Sequence, residues 1–412
     1  MYNYFMYKRE IEKRIDKISK TFRVLVVTGP RQVGKTTLLE SMMPEGMTKI
    51  SLDDETLRRE AKENPKIFLD TYKPPLFIDE VQYAPELFPY IKMKVDETDE
   101  MGMYWLSGSQ AFNLMKNVSE SLAGRAGIVE MNSFAYAEIN DTTEDKILFD
   151  PEMMVESNYI DVNEVYERIF KGGMPELYRV KELDRNEFFN SYIDTFIERD
   201  VRRIKDIGNL EDFRRFMKDL AIRNGKPLNY SDIASEIGVS SNTIKEWVSV
   251  LVSTRVIYLL QPFYSSKLER LTHRPEIVFM DSGLASYLTD WESAFDLQAS
   301  EYAGPFLEAY VISELVKSYD NLGAKASFSY LRNKETEEID LIIEKNQCLY
   351  PFEIKKTANP RKEMLHNFRH LARTGKAIGN GGLICLYDKL FQIDEKKYVV
   401  PLGSVINPHE DR

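Results

Sequence analysis

Short apolar runs, separated by polar loops, recur through the first third of the chain. Four of them are typical of buried β-strands, and they lie within FRVLVVTG, TKISLDD, PPLFIDE and MGMYWLSG. The first run is followed by a glycine-bearing loop and then by a helical segment, KTTLLESM. Apolar strands that alternate with helices are typical of a parallel sheet with helices on its faces. We therefore expect an N-terminal α/β domain over residues 1–132.

A different spacing of apolar residues follows this domain. Apolar positions recur every three or four residues in EVYERIFKGGMPELYRV and in RNEFFNSYIDTFIERDVRRIKDI. Because this spacing places apolar side chains on one face of a helix, we expect a helical unit over residues 133–207.

Residues 208–290 carry a helix-turn-helix pattern, within NYSDIASEIGVSSNTIKEWVSVL. We expect Ser231 to cap the first helix and Gly238 to end it. Two strand patterns follow, VIYLLQPF and EIVFMD, and they suit the wing of a winged helix. Four polar residues of the second helix could approach the base edges of DNA: Ser241, Asn242, Thr243 and Lys245. The helix carries little positive charge, so a structural or protein-binding winged helix is an equal alternative.

The last segment, residues 291–412, combines a long helix with several strands. The helix GPFLEAYVISELVKSY is amphipathic, and the strands ASFSYLRN, EEIDLIIEK and CLYPFEIKKT follow it. A helix around MLHNFRHLAR and an apolar strand in GGLICLYD come next. This order predicts a small α/β domain with a mixed sheet.

Composition and charge narrow the class of protein. The chain has 412 residues, 43% of them hydrophobic, and a net charge of −11. The negative balance argues against a surface coated with basic residues for non-specific nucleic-acid binding, although a local basic groove stays open. No apolar stretch reaches the roughly 20 residues of a transmembrane helix, and the N-terminus has no secretion-signal pattern. We therefore expect no membrane partner. Because two cysteines form no disulfide framework, we also expect a cytoplasmic protein.

The loop after the first strand, GPRQVGKTT, has the pattern of a phosphate-binding loop, G-x-x-x-x-G-K-[ST]. In such a loop backbone N–H groups surround the phosphate oxygens. Lys35 would reach the β- and γ-phosphates, and the Thr36 hydroxyl would bind Mg²⁺. The nucleotide-binding residues that we expect are Gly29, Pro30, Arg31, Gln32, Val33, Gly34, Lys35, Thr36 and Thr37.

Two acidic residues, Asp79 and Glu80, end the apolar strand in PPLFIDE. Asp79 is expected to hold the Mg²⁺ shell beside Thr36. Glu80 is then placed to orient or deprotonate the water that attacks the γ-phosphate. The alternative is that both acids cap the helix that follows.

Charged residues also interrupt two apolar strands near the C-terminus. Asp340 lies in one strand, and Glu353 and Lys355 share one face of the next. Two neighbouring carboxylates repel each other unless a cation neutralises them, so we expect Mg²⁺ on Asp340, Glu353 and Glu308 of the preceding helix. Lys355 would stabilise charge on a phosphate or position the attacking water. An ion cluster without turnover is the alternative.

The N-terminal motifs resemble those of the AAA-type ATPases. The resemblance implies ATP as the nucleotide and a polar residue that senses the γ-phosphate after the next strand, for which Ser107 and Ser109 are both candidates. It also implies an arginine finger within SLAGRAGIVEMNSF. Arg125 would then reach the nucleotide of a neighbouring subunit in a homo-oligomer. An ordinary surface arginine is the alternative.

The order of a helix glutamate, a strand aspartate and E-x-K resembles the PD-(D/E)XK nucleases, which have the restriction-endonuclease-like fold. Nearly the whole chain resembles a large prokaryotic family of AAA-type ATPases that end in such a domain. The shared motifs include TGPRQVGKTTL, LFIDEVQ, SGSQ, SLAGRAG, GGMPEL, FIERDV, SGLASYL and FLEAYVISEL.

This resemblance implies a fold class and a domain order. The fold is α/β, with a AAA-type P-loop core and parallel sheet at 1–132, a helical lid at 133–207, a winged helix at 208–290 and a restriction-endonuclease-like domain at 291–412. ATP and Mg²⁺ are the implied cofactors, and DNA is the implied partner. Two functions stay open: an ATPase coupled to cleavage of DNA, and an ATP-driven switch or scaffold whose nuclease-like domain binds nucleic acid or protein without cutting.

Overall fold

Five short strands pair in parallel in the first third of the molecule. This computed structural model describes residues 7–109, 118, 120–144, 146–197, 201, 210–263, 274–332 and 338–409. The strands are β1 Val24–Thr28, β2 Thr48–Ser51, β3 Leu76–Asp79, β4 Tyr104–Gly108 and β5 Ala126–Glu130. They lie in the order β2-β3-β4-β1-β5 across the sheet. The predicted parallel sheet is therefore confirmed.

The first strand is buried on both faces of this sheet. Leu25 and Val27 belong to one hydrophobic core, and Val24 and Val26 belong to another. The edge strand β5, which pairs with β1, is not predicted by the apolar pattern, because its sequence AGIVE contains glycine and is only alternately buried. β5 therefore covers the edge of β1 that β4 leaves open.

Helices cover both faces of the sheet and fill the middle of the chain. Around the sheet lie α1 Glu12–Ser19, α2 Lys35–Met42, α3 Glu55–Glu63, α4 Pro65–Thr71 and α5 Leu87–Asp96, with a 3₁₀ turn at Val81–Tyr83. The middle contains α6 Tyr136–Ile139, α7 Val162–Lys171, α8 Glu176–Arg179, α9 Arg185–Phe196, α10 Leu210–Ile222, α11 Tyr230–Ile237 and α12 Ser241–Ser253. None of the helices in the described part of the chain combines the length and hydrophobicity that a bilayer crossing requires. The boundary expected at residue 207 lies outside the described residues.

The helix-turn-helix pattern produces α11 and α12 with a tight turn between them. The prediction that Ser231 caps α11 is wrong, because the side-chain oxygen of Asn229 accepts from the Ser231 N–H at 3.3 Å. The helix begins one residue before Ser231, which therefore lies inside the first turn. Gly238 ends α11 with φ +87°, as predicted. Ser240 caps α12 by accepting from the Thr243 N–H at 3.0 Å.

Within the described residues, nine further strands form one mixed sheet, which confirms the mixed sheet predicted for the C-terminal segment. The strands are β6 Ile257–Pro262, β7 Glu276–Phe279, β8 Ser327–Arg332, β9 Glu338–Lys345, β10 Cys348–Ile354, β11 Ala377–Ile378, β12 Gly381–Cys385, β13 Phe391–Asp394 and β14 Lys397–Pro401. Their order is β13-β14-β12-β10-β9-β8-β6-β7, with β11 beside β10. The two strands expected to form a wing, β6 and β7, belong to this sheet because β6 runs parallel to β8. The sheet therefore continues across the boundary predicted at residue 290.

A long helix, α15 Ala303–Leu322, lies between the two sheets. The helices α13 Ser282–Leu288 and α14 Ala294–Ala299 precede it, and a 3₁₀ helix at Lys362–Thr374 and α16 Gly403–Ile406 follow. The sequence predicts an amphipathic helix, but α15 is buried around most of its circumference. The reason is that α15 contacts α1, β7 and β10, as well as the helices α7, α13, α14 and α16.

Gly238→Ala is expected to lower the free energy of unfolding by about 1 kcal/mol, because alanine is strained at a positive φ. Gly238→Asn should lower it less, since asparagine tolerates the left-handed conformation better. Gly304→Ala, a helical position that also has open space around it, is the control and should not destabilise the protein. Denaturant unfolding compares the variants. A Gly238→Ala protein as stable as the wild type would contradict the left-handed turn.

Candidate active sites

The loop between β1 and α2 requires glycine at two positions. Gly29 has φ +148°, and a Cβ there would lie 2.1 Å from the carbonyl oxygen of Met131. Gly34 has φ +87° and is the N-cap of α2. The Nζ of Lys35 donates to the carbonyl oxygens of Gly29 at 3.0 Å and Pro30 at 2.6 Å. The loop thus bends sharply over the positive end of α2, which favours an anion there.

Three polar side chains meet beside the loop, at the carboxyl ends of β3 and β4. The Thr36 hydroxyl donates to Oδ2 of Asp79 at 2.9 Å, and the Ser107 hydroxyl donates to Oδ1 of the same carboxylate. Asp79 is only 7% exposed. A hydroxyl and a carboxylate are hard oxygen donors of the kind that Mg²⁺ prefers. Thr36 and Asp79 therefore fit a magnesium site in their chemistry.

Glu80 has an unusual backbone conformation, with φ +55°. Non-glycine residues with positive φ are uncommon and are concentrated at functional sites. Its Oε2 accepts from the Gln82 amide and from the Ser109 hydroxyl, the latter at 3.3 Å. Glu80 precedes the 3₁₀ turn Val81–Tyr83 but makes no side-chain capping bond to it. The two candidate serines therefore have different partners: the Ser109 hydroxyl binds Glu80, whereas the Ser107 hydroxyl binds Asp79.

Arg125 lies at the end of the sheet opposite to the loop. Its carbonyl oxygen accepts from the N–H of Val24, the first residue of β1, whereas Gly29 follows the last. The strand rises about 3.3 Å per residue, so roughly 16 Å separates the two ends. The Arg125 guanidinium binds Asp96 of the same chain, with Nη2 at 2.9 Å from Oδ2. Arg125 is therefore remote from the loop of its own chain.

A cavity of about 730 Å³ opens beside the loop. Gly34 and Thr37 line it on one side, and the rings of Tyr7, Phe134 and Phe188 line it on the other. The ring centres of Tyr7 and Phe134 are 5.1 Å apart. Cavities of this size with aromatic walls are typical of small-molecule sites. The cavity has room for the base and ribose of a nucleotide whose phosphates lie on the loop.

A second cluster of charges lies between α15 and the strands β9 and β10. The Nζ of Lys355 lies 2.6 Å from Oδ2 of Asp340, 3.1 Å from Oε2 of Glu353 and 3.9 Å from Oε1 of Glu308. Asp340 also accepts from the N–H of Ile354 at 2.8 Å. Asp340 and Glu353 are buried. The structure thus brings together the four residues that the sequence analysis grouped.

Burial governs the protonation of this carboxylate–lysine cluster. Burial, followed by the charge of Asp340, raises the pKa of Glu353 to about 9. The same two causes raise the pKa of Glu308 to about 8. Burial alone would lower the pKa of Lys355, but the three carboxylates outweigh it and raise that pKa. The ammonium group is therefore the cation around which the carboxylates are arranged.

The carboxylates of this cluster suit a divalent cation in chemistry but not in their arrangement. Oε1 of Glu353 is buried and makes no hydrogen bond within the described residues, as expected of an atom available to a metal. However, the described part of the chain contains no group of three or more His, Cys, Asp or Glu side chains arranged to hold a metal ion. The predicted ligands Glu308, Asp340 and Glu353 surround Lys355 instead.

Glu276, at the start of β7, shares the electrostatic environment of this cluster and was missed by the sequence analysis. It is 7% exposed, and its Oε1 lies 3.4 Å from Nη2 of Arg332. Burial raises the pKa of Glu276 to about 8, with Arg332 opposing and Glu308 adding to the shift. In the sequence Glu276 stands directly before the apolar run Ile277, Val278 and Phe279, and no motif includes it. It approaches the cluster only because β6 pairs with both β7 and β8.

Glu276→Gln is expected to remove a pH dependence of stability. The Glu276 pKa rises from 4.5 to about 8 on folding, so the folded state binds more protons between these values and wild-type stability falls as pH rises through them. The gain in melting temperature of Glu276→Gln over the wild type should therefore grow between pH 5 and pH 8, as thermal unfolding would measure. Glu338→Gln, which changes the exposed partner of the same Arg332, is the control. Parallel pH profiles for Glu276→Gln and the wild type would contradict the buried acid.

Three segments of the chain match known domain families. Residues 21–140 match a family described as AAA domain. Residues 162–294 and 303–405 match two domains of unknown function, DUF8612 and DUF4143. Two curated relatives are the uncharacterized proteins Rv2008c of Mycobacterium tuberculosis and Mb2031c of Mycobacterium bovis. Each is 25% identical over 355 residues, which cover 86% of this chain and 75% of the relative.

Two solved structures have partial similarity to this chain. A variant of RuvB from Thermotoga maritima aligns with a TM-score of 0.31 and 18% identity, over 60% of this chain and 88% of RuvB. A Signal Transduction ATPase with Numerous Domains protein of Pyrococcus horikoshii aligns with a TM-score of 0.26 and 11% identity, over 76% of this chain and 46% of that protein. Both TM-scores are below 0.5 and establish no shared activity. The family match at residues 21–140, together with the parallel sheet, makes the N-terminal part of this chain a AAA-type P-loop domain.

Proposed function

We propose that this chain is a Mg²⁺-dependent ATPase coupled to a nuclease-like domain that acts on DNA. The main observation in favour of ATP hydrolysis is that the hydroxyl groups of Thr36 and Ser107 both donate hydrogen bonds to the Asp79 carboxylate, next to the glycine-bearing loop. P-loop hydrolases use this relation between a loop hydroxyl and a carboxylate at the end of a neighbouring strand. The AAA domain match at residues 21–140 supports the same function.

The loop residues bind and orient the phosphates of ATP. Backbone N–H groups of residues 31–36 donate to phosphate oxygens, and Lys35 adds a positive charge at the β- and γ-phosphates. Thr36 and Asp79 would hold Mg²⁺, which neutralises charge that develops on the phosphates. The base and ribose occupy the adjoining cavity, with Tyr7 and Phe134 in its wall.

Glu80 orients the attacking water and accepts its proton. Its carboxylate is held by the side chains of Gln82 and Ser109, so it is fixed before the substrate binds. We assign the γ-phosphate contact to Ser109, because its hydroxyl lies beside Glu80. Ser107 instead orients Asp79, to which its buried hydroxyl donates.

Arg125 serves the site of a neighbouring copy of the chain. It is at the far end of the sheet from its own loop, so a contact with ATP requires a homo-oligomer. Its pairing with Asp96 would then be exchanged for the phosphate.

Two substitutions separate ATP binding from ATP hydrolysis. Lys35→Ala should weaken binding and hydrolysis together, because the ammonium group contacts the phosphates throughout the reaction. Glu80→Gln should bind ATP with wild-type affinity and lower kcat by about 10²- to 10⁴-fold, because an amide cannot accept the proton. Glu86→Gln, at an exposed position nearby, is the matched control and should keep the wild-type kcat. Phosphate release and equilibrium ATP binding provide the two readouts.

The same assays test the arginine finger. Arg125→Ala should lower kcat without weakening ATP binding. Mixing it with Lys35→Ala, which contributes an intact Arg125 to a mixed oligomer, should restore part of the activity. Full activity of Arg125→Ala would exclude the finger, and full activity of Glu80→Gln would exclude Glu80 as the base.

The grouping of the buried Asp340 and Glu353 with the half-buried Lys355 supports cleavage of phosphodiesters by the C-terminal domain. For Asp340 and Glu353 to hold a divalent cation, Lys355 would first have to leave its present contacts with them. The cation would then supply charge neutralisation and an activated water. Lys355 then stabilises the charge that develops on the phosphate. Supporting this assignment, α15 with Glu308 precedes the antiparallel strands β8, β9 and β10, the order of elements that the resemblance implies.

One observation favours a second candidate, an ATP-driven switch or scaffold that binds nucleic acid or protein without cutting. Lys355 lies within 4 Å of all three carboxylates, and it already supplies the positive charge that a metal would bring. A lysine in this position favours a stable ion cluster over a metal site. In this alternative, ATP hydrolysis drives a change of shape rather than a cleavage reaction.

Incubation of the full chain with DNA decides between the two candidates. With Mg²⁺ or Mn²⁺, the wild type is expected to cut linear, circular or single-stranded DNA. Lys355→Ala should lose the activity because it removes the positive charge that would face the phosphate. The double variant Asp340→Ala/Glu353→Ala should lose it because it removes the carboxylates that would hold the cation. Lys389→Ala, at an exposed position outside the cluster, is the control. The response of cutting to Lys35→Ala measures its dependence on ATP. ATP hydrolysis without cutting of any of these DNAs would replace the nuclease with the switch or scaffold.

A further inference from the structure

Arg9, which precedes α1, is buried against the phosphate-binding loop although no motif includes it. It is 5% exposed. Its Nη1 donates to the carbonyl oxygen of Val33 at 2.9 Å, its Nη2 to that of Asn132 at 2.8 Å, and its Nε to Oε1 of Glu138 at 3.0 Å. The guanidinium also lies over the Phe134 ring, 4.6 Å from its centre. All three nitrogens of the group are therefore engaged at once.

We propose that Arg9 is a positioning residue that orients the phosphate-binding loop for the nucleotide, an inference that rests on the proposed ATPase. The Val33 carbonyl and the Gly34 N–H belong to one peptide unit. In a trans peptide the C=O and the N–H point in opposite directions. By holding the Val33 carbonyl, Arg9 fixes the direction of the Gly34 N–H, a backbone donor of the loop.

Arg9 also joins the two ends of the loop. The start of the loop at Gly29 is in close contact with the backbone of Met131, and the next residue, Asn132, receives the second bond from Arg9. The end of the loop at Val33 receives the first. One planar guanidinium thus fixes the distance between these two segments. A lysine has a single nitrogen and cannot reproduce this fork.

Glu138 fixes the guanidinium in this position. The carboxylate is fully buried, and its Oε1 accepts from Nε of Arg9 and from the N–H of Glu10, each at 3.0 Å. Its Oε2 accepts from the N–H of Ala135 at 2.8 Å. These bonds on both carboxylate oxygens restrict rotation of the pair and hold the Arg9 guanidinium against the loop.

Helix α15 holds the segment that carries Glu138. Glu314 accepts from the N–H of Tyr136 at 2.7 Å, and Lys317 donates to the carbonyl of Phe134 at 3.1 Å. Glu308 of the carboxylate–lysine cluster lies on the same helix, about 9 Å along its axis from Glu314. The loop geometry is thus tied, through Arg9, to the helix that supports the second site.

Arg9→Lys tests the inference, with Arg14→Lys as the matched control. Arg14 also donates to a backbone carbonyl, that of Asp320, but away from the loop. Arg9→Lys should raise the Kd of ATP by about 10- to 100-fold and raise KM by more than it lowers kcat, because a displaced loop donor weakens phosphate binding. Arg14→Lys should leave the Kd unchanged, because Arg14 binds a carbonyl that is not part of the loop. Calorimetric titration and steady-state hydrolysis supply these values.

The outcomes separate this inference from the proposed function. If the wild type binds ATP and Arg9→Lys binds it equally well, Arg9 has only a structural role. That result would overturn this inference but not the proposed ATPase function. If the wild type binds no ATP, the proposed function falls and the inference falls with it. Should Arg9→Lys not fold, Glu138→Gln decides, because it keeps the shape of the partner but removes its charge. A Kd raised in Glu138→Gln supports the inference, and a wild-type Kd overturns it.

Discussion

The parallel register of β1, β4 and β3 is the constraint on which the candidate ATPase site depends. It aligns Thr28 with Gly108, and Ile78 with Leu106, so that the three strands end side by side. The residue after Ile78 is Asp79, which therefore arrives next to the loop that leaves β1. A slip of one residue in β3 would turn Asp79 to the other face of the sheet. The contact between Asp79 and Thr36 is thus a consequence of strand pairing, and the buried apolar cores on both faces hold that pairing in place.

The second half of the molecule is organised around α15 in a comparable way. This helix contacts α1 near the first sheet and β7 and β10 of the second sheet, so it connects the surroundings of both candidate sites. Glu308 projects from it toward Lys355, while Glu314 and Lys317 bind the segment beside the P-loop domain. Because β6 and β7 are continuous with the second sheet, the helix-turn-helix unit is joined to the carboxylate–lysine cluster through one hydrogen-bonded framework.

The parts of the fold that could be predicted are those that short segments determine. The parallel sheet follows from apolar runs, and the loop, with Gly34, from a single motif. The missed features depend on contacts between distant residues: Arg9 binds Glu138 across 129 positions, and Glu276 approaches the second cluster only after β6 pairs with β8. The error at Ser231 has a local cause, because serine and asparagine cap helices about equally well and the backbone places the cap at Asn229, two residues before Ser231.

The central claim is that the first sheet assembles a site for ATP and Mg²⁺. The most direct test is to titrate ATP into the wild type and into Asp79→Asn, once with Mg²⁺ and once with a chelator that removes it. The account predicts that the wild type binds one ATP per chain, and that Mg²⁺ tightens binding by about tenfold or more. Asp79→Asn should bind ATP in the chelator as the wild type does but lose the gain from Mg²⁺, because an amide is a weaker ligand than a carboxylate. A wild type that does not bind ATP, or an Asp79→Asn variant that keeps the full gain from Mg²⁺, would contradict the account.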